Sequence, residues 1–372
     1  MFYLNVPIAI VALTLAWAAS PGWDTPHRAG RVDIVGAAWF GLALVAGLIG
    51  LTLIGTKEVA GSSLDPVLLT VALLALAALA TAVAVVRGLR VVDPFLDPRL
   101  FRSVPFSSAA IVSLLTGYAF ATAIIGGAVF VDRVLYGGPD QQRLALGALA
   151  GATALGALAS GFLVRVVSLQ VVTIAGLALS IAGLLAMASW TTGASIETVA
   201  ASLATYGFGF GLTVTPRSTA AVEAVGRHAF GTASAVVTVA RMIGMAVGLA
   251  ILTAYGSTTI DRLYEQVYAT PDAYLQFIPE DLRGRALRDP LVVGALEGWA
   301  SREAAGIMVG LFVVAAAVTA VAVPPGLALR GRRRSGAGML DDGPAASDAT
   351  DGTAPGGSDA DGLDSPEPGL AL

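Results

Sequence analysis

Residues 206–252, YGFGFGLTVTPRSTAAVEAVGRHAFGTASAVVTVARMIGMAVGLAIL, set an arginine inside an apolar, glycine-spaced run, the strongest chemical signal in the chain. Arg241 lies roughly 15 Å or more along a helix from the polar turn that ends at His228, at 1.5 Å per residue. A charge at that depth in an apolar slab is costly unless partnered, which makes it a functional-site candidate. Two readings of Arg241 stand. It faces a cavity and pairs with an anionic substrate or a carboxylate, or it bonds carbonyls and the polar turn and clamps the hairpin. Thr116, Tyr118 and Thr122 on one predicted span, with Ser202 and Tyr206 on another, would offer polar and aromatic contacts to an amphipathic ligand. The competing reading is that these five are satisfied within a helix bundle.

Bond-making chemistry finds little support. There is no cysteine, which excludes disulfides, zinc–thiolate sites and thiol catalysis. His27 and His228 are the two histidines, both in predicted loops, and no HExxH or GxGD pattern is present, so the chain is not expected to be an enzyme. The GFGFG run lacks the preceding strand and following Lys-Ser/Thr of a phosphate loop. Gly207, Gly209 and Gly211 instead read as a surface for close helix packing, as do Gly244 and Gly248. Pro216 is expected to end or kink its helix near one membrane surface, leaving Arg217, Glu223, Arg227 and His228 in the turn. No carboxylate is central in a predicted span. Asp33, Asp132, Glu197 and Glu223 all sit near span ends, where interface or capping roles fit.

The elements that must position these residues follow from composition. Hydrophobic residues make up 56% and charged residues 13%, with a mean hydropathy of +0.77, which places the chain among polytopic membrane proteins. Apolar runs long enough to cross a core about 30 Å thick occur at 2–19, 34–55, 66–86, 106–131, 144–166, 169–190, 196–215, 232–255 and 304–323. The stretch between the last two, residues 256–302, reads as a long outer loop with two amphipathic segments, IDRLYEQVY and DPLVVGALEGWASREA, lying on the surface or forming a lid. From Ser335 onward there are eight acids and no bases, so residues 1–334 carry +4 although the whole chain carries −4. That tail cannot bury a core and is expected to be disordered. The RGRRR cluster before it anchors the last span.

Arginine placement sets the topology. With the N-terminus outside, the inner segments hold thirteen basic residues and the short outer segments three, the long outer loop being set aside. The N-terminus is therefore expected outside and the tail in the cytoplasm, in a multi-pass protein of the plasma membrane. No basic flank precedes the first span, so an outside N-terminus calls for something upstream to carry it across. The chain is expected to lack its front.

Several segments, in order, match one family. FYLNVPIAIVALTLAW resembles the entrance to the sixth helix of the fourteen-span drug:proton antiporters of the major facilitator superfamily, the EmrB/QacA group. RVDIVGAAWFGLALVAGLIGL resembles that group's D-x-x-G opening of helix seven, and DPFLDPRLFRSVPF its link before helix nine. The 206–252 hairpin resembles its GxGxG and R-x-x-G-x-x-x-G signatures. The likeness covers about residues 1–325. It implies an all-α polytopic fold in which residues 1–19 are the last helix of an N-terminal bundle and 20–87 carry two extra linker helices. Residues 88–105 form a cytoplasmic linker, 106–329 a complete C-terminal six-helix bundle, and 330–372 the acidic tail.

The implied function is export of small amphipathic compounds, drug or antibiotic efflux included, by alternating access coupled to a proton gradient in the full-length form. No other cofactor, no metal and no nucleic acid are implied. The implied partners are the bilayer, a small amphipathic substrate and the missing N-terminal half. The alternative is a non-transporting remnant or misassigned start. LVRVVSLQ keeps only Arg165 of the family's G-x-x-x-D-R-x-G-R gating loop, and with no mid-span carboxylate here, proton coupling would reside in the absent helices.

The arginine asymmetry makes the topology testable. A cysteine placed after Ser335 should resist membrane-impermeant maleimide in intact cells, and one placed between Asp272 and Asp289 should label; the reverse pattern would invert the assignment.

Overall fold

The computed structural model describes residues 5–19, 33–54, 65–225, 229–268, 273–284 and 288–329. In chain order they form α1 (Asn5–Ala19), α2 (Ile34–Thr52), α3 (Pro66–Arg90), α4 (Val104–Arg133), α5 (Pro139–Val166), α6 (Leu169–Met187), α7 (Ile196–Val225), α8 (Phe230–Tyr268), α9 (Pro290–Val321) and the short α10 (Val323–Leu327). No β-strand occurs among the described residues. Seven of these helical segments are long and apolar enough to cross a membrane. In the described residues α1 is shorter, and α7 is diluted by glycines, hydroxyls and Arg217 although its neighbours enclose it. The chain is an all-α polytopic membrane protein.

Helices α4 to α9 pack as a six-helix bundle, and α2 with α3 forms an antiparallel hairpin beside it that meets the bundle along α8. Small residues set the spacing inside the bundle. A Cβ on Gly207 would overlap the Leu149 carbonyl of α5, one on Gly211 the Thr153 carbonyl, and one on Gly156 the Phe208 carbonyl of α7. On the other flank of α7, Gly209 lies against the Ser180 amide of α6, and Gly183 against the Tyr206 amide. Gly244 of α8 rests on the Leu114 carbonyl of α4, and Gly117 of α4 on the Arg241 carbonyl. Backbones that approach this closely gain dispersion contacts, which drive helix association where lipid tails remove the hydrophobic term.

Two expectations about helix ends are corrected. Pro216 does not end α7, which runs nine residues further to Val225. Proline removes one backbone donor, and packing against α4, α5 and α6 holds the helix through that gap. Arg217 consequently lies inside a helix and not in a turn. The outer segments IDRLYEQVY and DPLVVGALEGWASREA do not form a surface-lying pair. Each continues a membrane helix: α8 has 39 residues and α9 has 32, roughly 58 and 48 Å against a core of about 30 Å. Asp289 caps α9 by accepting from the Leu291 amide, with Pro290 in the first turn. A small cluster of Ile278, Leu282 and Val292, with Phe277 against Trp299 at 4.4 Å, joins the connecting segment to α9.

Asp33 builds the joint of the α2–α3 hairpin. Its Oδ1 accepts from the Gly36 amide at 2.9 Å and from Arg87 Nε at 2.9 Å, and Arg87 Nη2 lies 2.8 Å away. The Phe95 amide adds a further bond from the linker. Arg87 foremost, then the Gly36 amide, holds the carboxyl below the usual carboxylate range. A Cβ at position 36 would overlap the carboxylate, which accounts physically for the D-x-x-G pattern. Arg227, His27, His228, the RGRRR cluster and the acidic tail lie outside the described residues.

The close contacts make a stability prediction. Gly244→Ala should cost about 1–3 kcal/mol, as overpacking does. Gly147→Ala on α5, where a Cβ meets nothing within 4 Å, should be neutral or stabilising by up to about 1 kcal/mol. Thermal unfolding of both variants in detergent checks the contrast.

Candidate functional site

Among the described residues of the bundle one charged side chain, Arg217, is fully buried, and α7 places it. Tyr206, Phe210 and Arg217 lie within about 40° of one another around the helix, at 3.6 residues per turn. They face Thr116 and Phe120, which share a face of α4 through their i, i+4 spacing. The Phe120 and Phe210 rings stack at 4.5 Å, and Tyr206 lies parallel to Phe210 at 6.3 Å. The Arg217 guanidinium carbon sits 5.1 Å from the Phe210 ring centroid. A desolvated cation on an aromatic face is worth about 2 kcal/mol or more.

Arg217 is 1% exposed and donates from Nη1 to Thr116 Oγ1. The Thr116 hydroxyl sends its own proton to the Val112 carbonyl at 2.7 Å, so a lone pair is free to accept. A guanidinium carries five N–H donors, and Thr116 is its one side-chain acceptor among the described residues. Arg241 on α8, half-buried, is near enough for the two positive charges to repel. Among the described residues the ion pairs are Asp33–Arg87, Asp132–Arg133, Asp140–Arg143 and Glu280–Arg283, and none reaches Arg217 or Arg241. Asp33 and Arg217 are the buried charged residues among those described. The site therefore presents positive charge and aromatic faces inside an apolar bundle with no acid of its own. Its guanidinium has donors that could bond an anionic or carbonyl oxygen.

The sequence-predicted residues divide. Thr116 and Tyr206 join Arg217, and Arg241 stands close by. The Tyr118 and Tyr206 hydroxyls, and that of Ser180 on α6, are buried without a hydrogen-bond partner. Thr122 turns its hydroxyl to the Tyr118 carbonyl at 3.1 Å. Ser202 accepts from Trp190 Nε1 at 3.3 Å and donates to the Thr198 carbonyl at 2.8 Å, within a separate ring cluster of Phe130, Trp190 and Phe312. Arg165 is exposed and lies over Phe162 of its own helix at 5.7 Å. Glu223 is exposed near the end of α7. Arg217 is absent from the sequence-predicted site because Pro216 reads as a helix end or kink; the helical phase of Tyr206, Phe210 and Arg217, carried on through TAAVEAV, is the signal that could find it. Among the described residues no group of three histidines or carboxylates could hold a metal.

Removing the charge and removing its acceptor should act oppositely on stability. Arg217→Met should leave thermal stability unchanged or raised, since an apolar side chain of similar size replaces a buried charge. Thr116→Val deprives the guanidinium of its acceptor and should cost about 1.5–3 kcal/mol. Thermal unfolding in detergent reads both.

No family model matches the chain. Among curated proteins it is 32% identical over 301 residues to a triacylglyceride transporter of Mycolicibacterium hassiacum, covering 77% of this chain and 55% of that protein. A triacylglyceride transporter of Mycolicibacterium smegmatis is 31% identical over 276 residues, covering 69% and 47%. One of Mycobacterium tuberculosis is 27% identical over 350 residues, covering 90% and 63%. The chain thus spans about half the length of the first of these relatives. A crystal structure of an inward-facing bacterial homologue of the human lysosomal transporter Spinster aligns over 79% of this chain and 67% of that one, at 21% identity and a TM-score of 0.38, a likeness too distant to bear on the site. The curated relatives named here are called transporters, and none of them is called a drug antiporter. The chain is a multi-pass helical membrane protein similar, over most of its length, to curated mycobacterial triacylglyceride transporters.

Proposed function

We propose that the chain supplies one bundle and the linker hairpin of a major facilitator superfamily transporter that moves amphipathic compounds bearing ester or carboxylate oxygens. The observation that carries this reading is Arg217, a guanidinium 1% exposed, with one hydroxyl acceptor and no paired acid among the described residues. An oxygen-bearing ligand would take up its remaining donors, the aromatic faces of Phe120 and Phe210 would hold apolar parts, and Tyr206 would supply a hydroxyl. The triacylglycerides named for the relatives are neutral esters and fit that chemistry. Alternating access needs two bundles rocking about a shared site, and this bundle is taken as one of them. The arginine-rich ends are taken as cytoplasmic; moving Arg217 into the bundle leaves that asymmetry at twelve to three.

Proton-coupled drug efflux is the second reading, favoured by the motif agreement of α2, the linker and the α7–α8 hairpin with the EmrB/QacA group. Two clustered arginines disfavour cationic drugs, because like charge repels in a low-dielectric site. A binding measurement separates the readings. The purified chain should be stabilised in a thermal-shift assay by trioctanoylglycerol, and Arg217→Met should abolish the shift. Ethidium should bind at least about tenfold more weakly, a gap of about 1.4 kcal/mol. Tighter binding of ethidium, retained in Arg217→Met, would move the conclusion to drug efflux.

A further inference from the structure

A cavity of about 390 Å³ lies outside the bundle interior, between the α2–α3 hairpin, the linker before α4 and Ile243 of α8. Its wall on α2 runs from Asp33 to Leu51, roughly 27 Å of helix, and on α3 from Ala77 to Gly88, roughly 16 Å. The cavity is therefore elongated along the membrane helices. Its wall is apolar, and the two polar side chains in it are already spent. Thr81 donates to the Ala77 carbonyl at 2.7 Å, and Asp33 is taken up by Gly36, Arg87 and Phe95. No wall group is left to recognise a polar ligand.

The two ends differ in charge. At the Asp33 end the chain carries Arg87, Arg90, Arg99 and Arg102, the last three exposed. The acids beside them are Asp93 and Asp97, and Asp97 is engaged in capping the Arg99 amide at 2.9 Å. Arg87 is held by Asp33, and Arg99 reaches the Leu89 carbonyl at 3.5 Å. The four arginines against Asp33, Asp93 and Asp97 leave one net positive charge at the mouth of an apolar slot that runs away from it into the membrane. We infer that this slot holds an acyl chain of an anionic phospholipid, drawn from the leaflet at the arginine end, with its phosphate at Arg90, Arg99 and Arg102. Each methylene buried in a fitting apolar environment contributes, and an empty slot forfeits the dispersion contacts of its lining. The lipid would fill the space between the hairpin and α8, where Ile243 forms part of the wall. The inference is independent of what the bundle transports.

Photolabelling tests it on the whole chain in nanodiscs of phosphatidylcholine containing a tenth of phosphatidylglycerol, with a diazirine on the acyl chain of one lipid at a time. Labelled phosphatidylglycerol should concentrate on peptides spanning residues 40–51 and 77–85, at least fivefold over those carrying Leu155 and Leu158, which are exposed on α5. Gly47→Phe and, as a milder filling, Ala78→Leu should each cut slot labelling at least threefold, while Leu158→Phe should not. The triple variant Arg90→Gln, Arg99→Gln, Arg102→Gln should equalise the two lipids at the slot. Labelling spread evenly over all exposed helices overturns the inference. So does slot labelling that survives both fillings in monodisperse protein, or equal labelling by the two lipids in the unmodified chain.

Discussion

Backbone-to-backbone approach along α7 is the constraint on which the bundle depends. In lipid, burying leucine against leucine gains little over burying it against acyl chains, so helices associate where small residues let main chains touch. Gly207, Gly209 and Gly211 point to different neighbours because successive odd positions turn by about 200° around a helix. Gly207 and Gly211, four apart, share the face toward α5, and Gly209 faces α6. One short glycine run thereby docks two helices at once. The same device on α8, with Gly244 and Gly248, closes it onto α4.

This packing also makes the interior polar site tenable. A helix that surrenders its apolar surface to glycines has low hydropathy, and α7 is stable across a membrane because its neighbours, and not lipid, enclose it. Arg217 then sits where no lipid reaches it, with Thr116 as acceptor and Phe210 as a stacking face. Its proximity to Arg241 adds repulsion that nothing acidic among the described residues relieves. A structural role alone would be met better by an apolar side chain of similar volume. Retaining an unpaired buried guanidinium is understandable if an oxygen-bearing ligand completes it.

The hairpin obeys a different logic. Its joint is electrostatic, centred on Asp33, whose carboxylate ties the start of α2 to the end of α3 and to the linker. Away from that joint α2 and α3 pack on each other and touch the bundle sparingly, leaving the elongated apolar slot. Tyr136, in a left-handed conformation after α4, plays a comparable tethering role on the opposite end: its hydroxyl lies 3.4 Å from the Glu297 carbonyl and 3.2 Å from Ser301 Oγ of α9.

Sequence alone determined the all-helical membrane architecture and the approximate place of each helix, because twenty-residue apolar runs answer to the bilayer and need no tertiary partner. It also put thiol and zinc–thiolate chemistry out of reach, since there is no cysteine. Tertiary structure alone decided which arginine is buried. Arg241 sits deeper in an apolar run yet is only half-buried on α8, whereas Arg217, beside a proline and among polar residues, is enclosed by α4 and its own helix. Local hydropathy measures a residue's neighbours in the chain, and burial is set by neighbours in space. For the same reason the segments after residue 256 read as an amphipathic loop, although they continue α8 and α9 beyond the apolar core: amphipathicity records that a helix has a wet face, and not whether it lies along the membrane or rises from it.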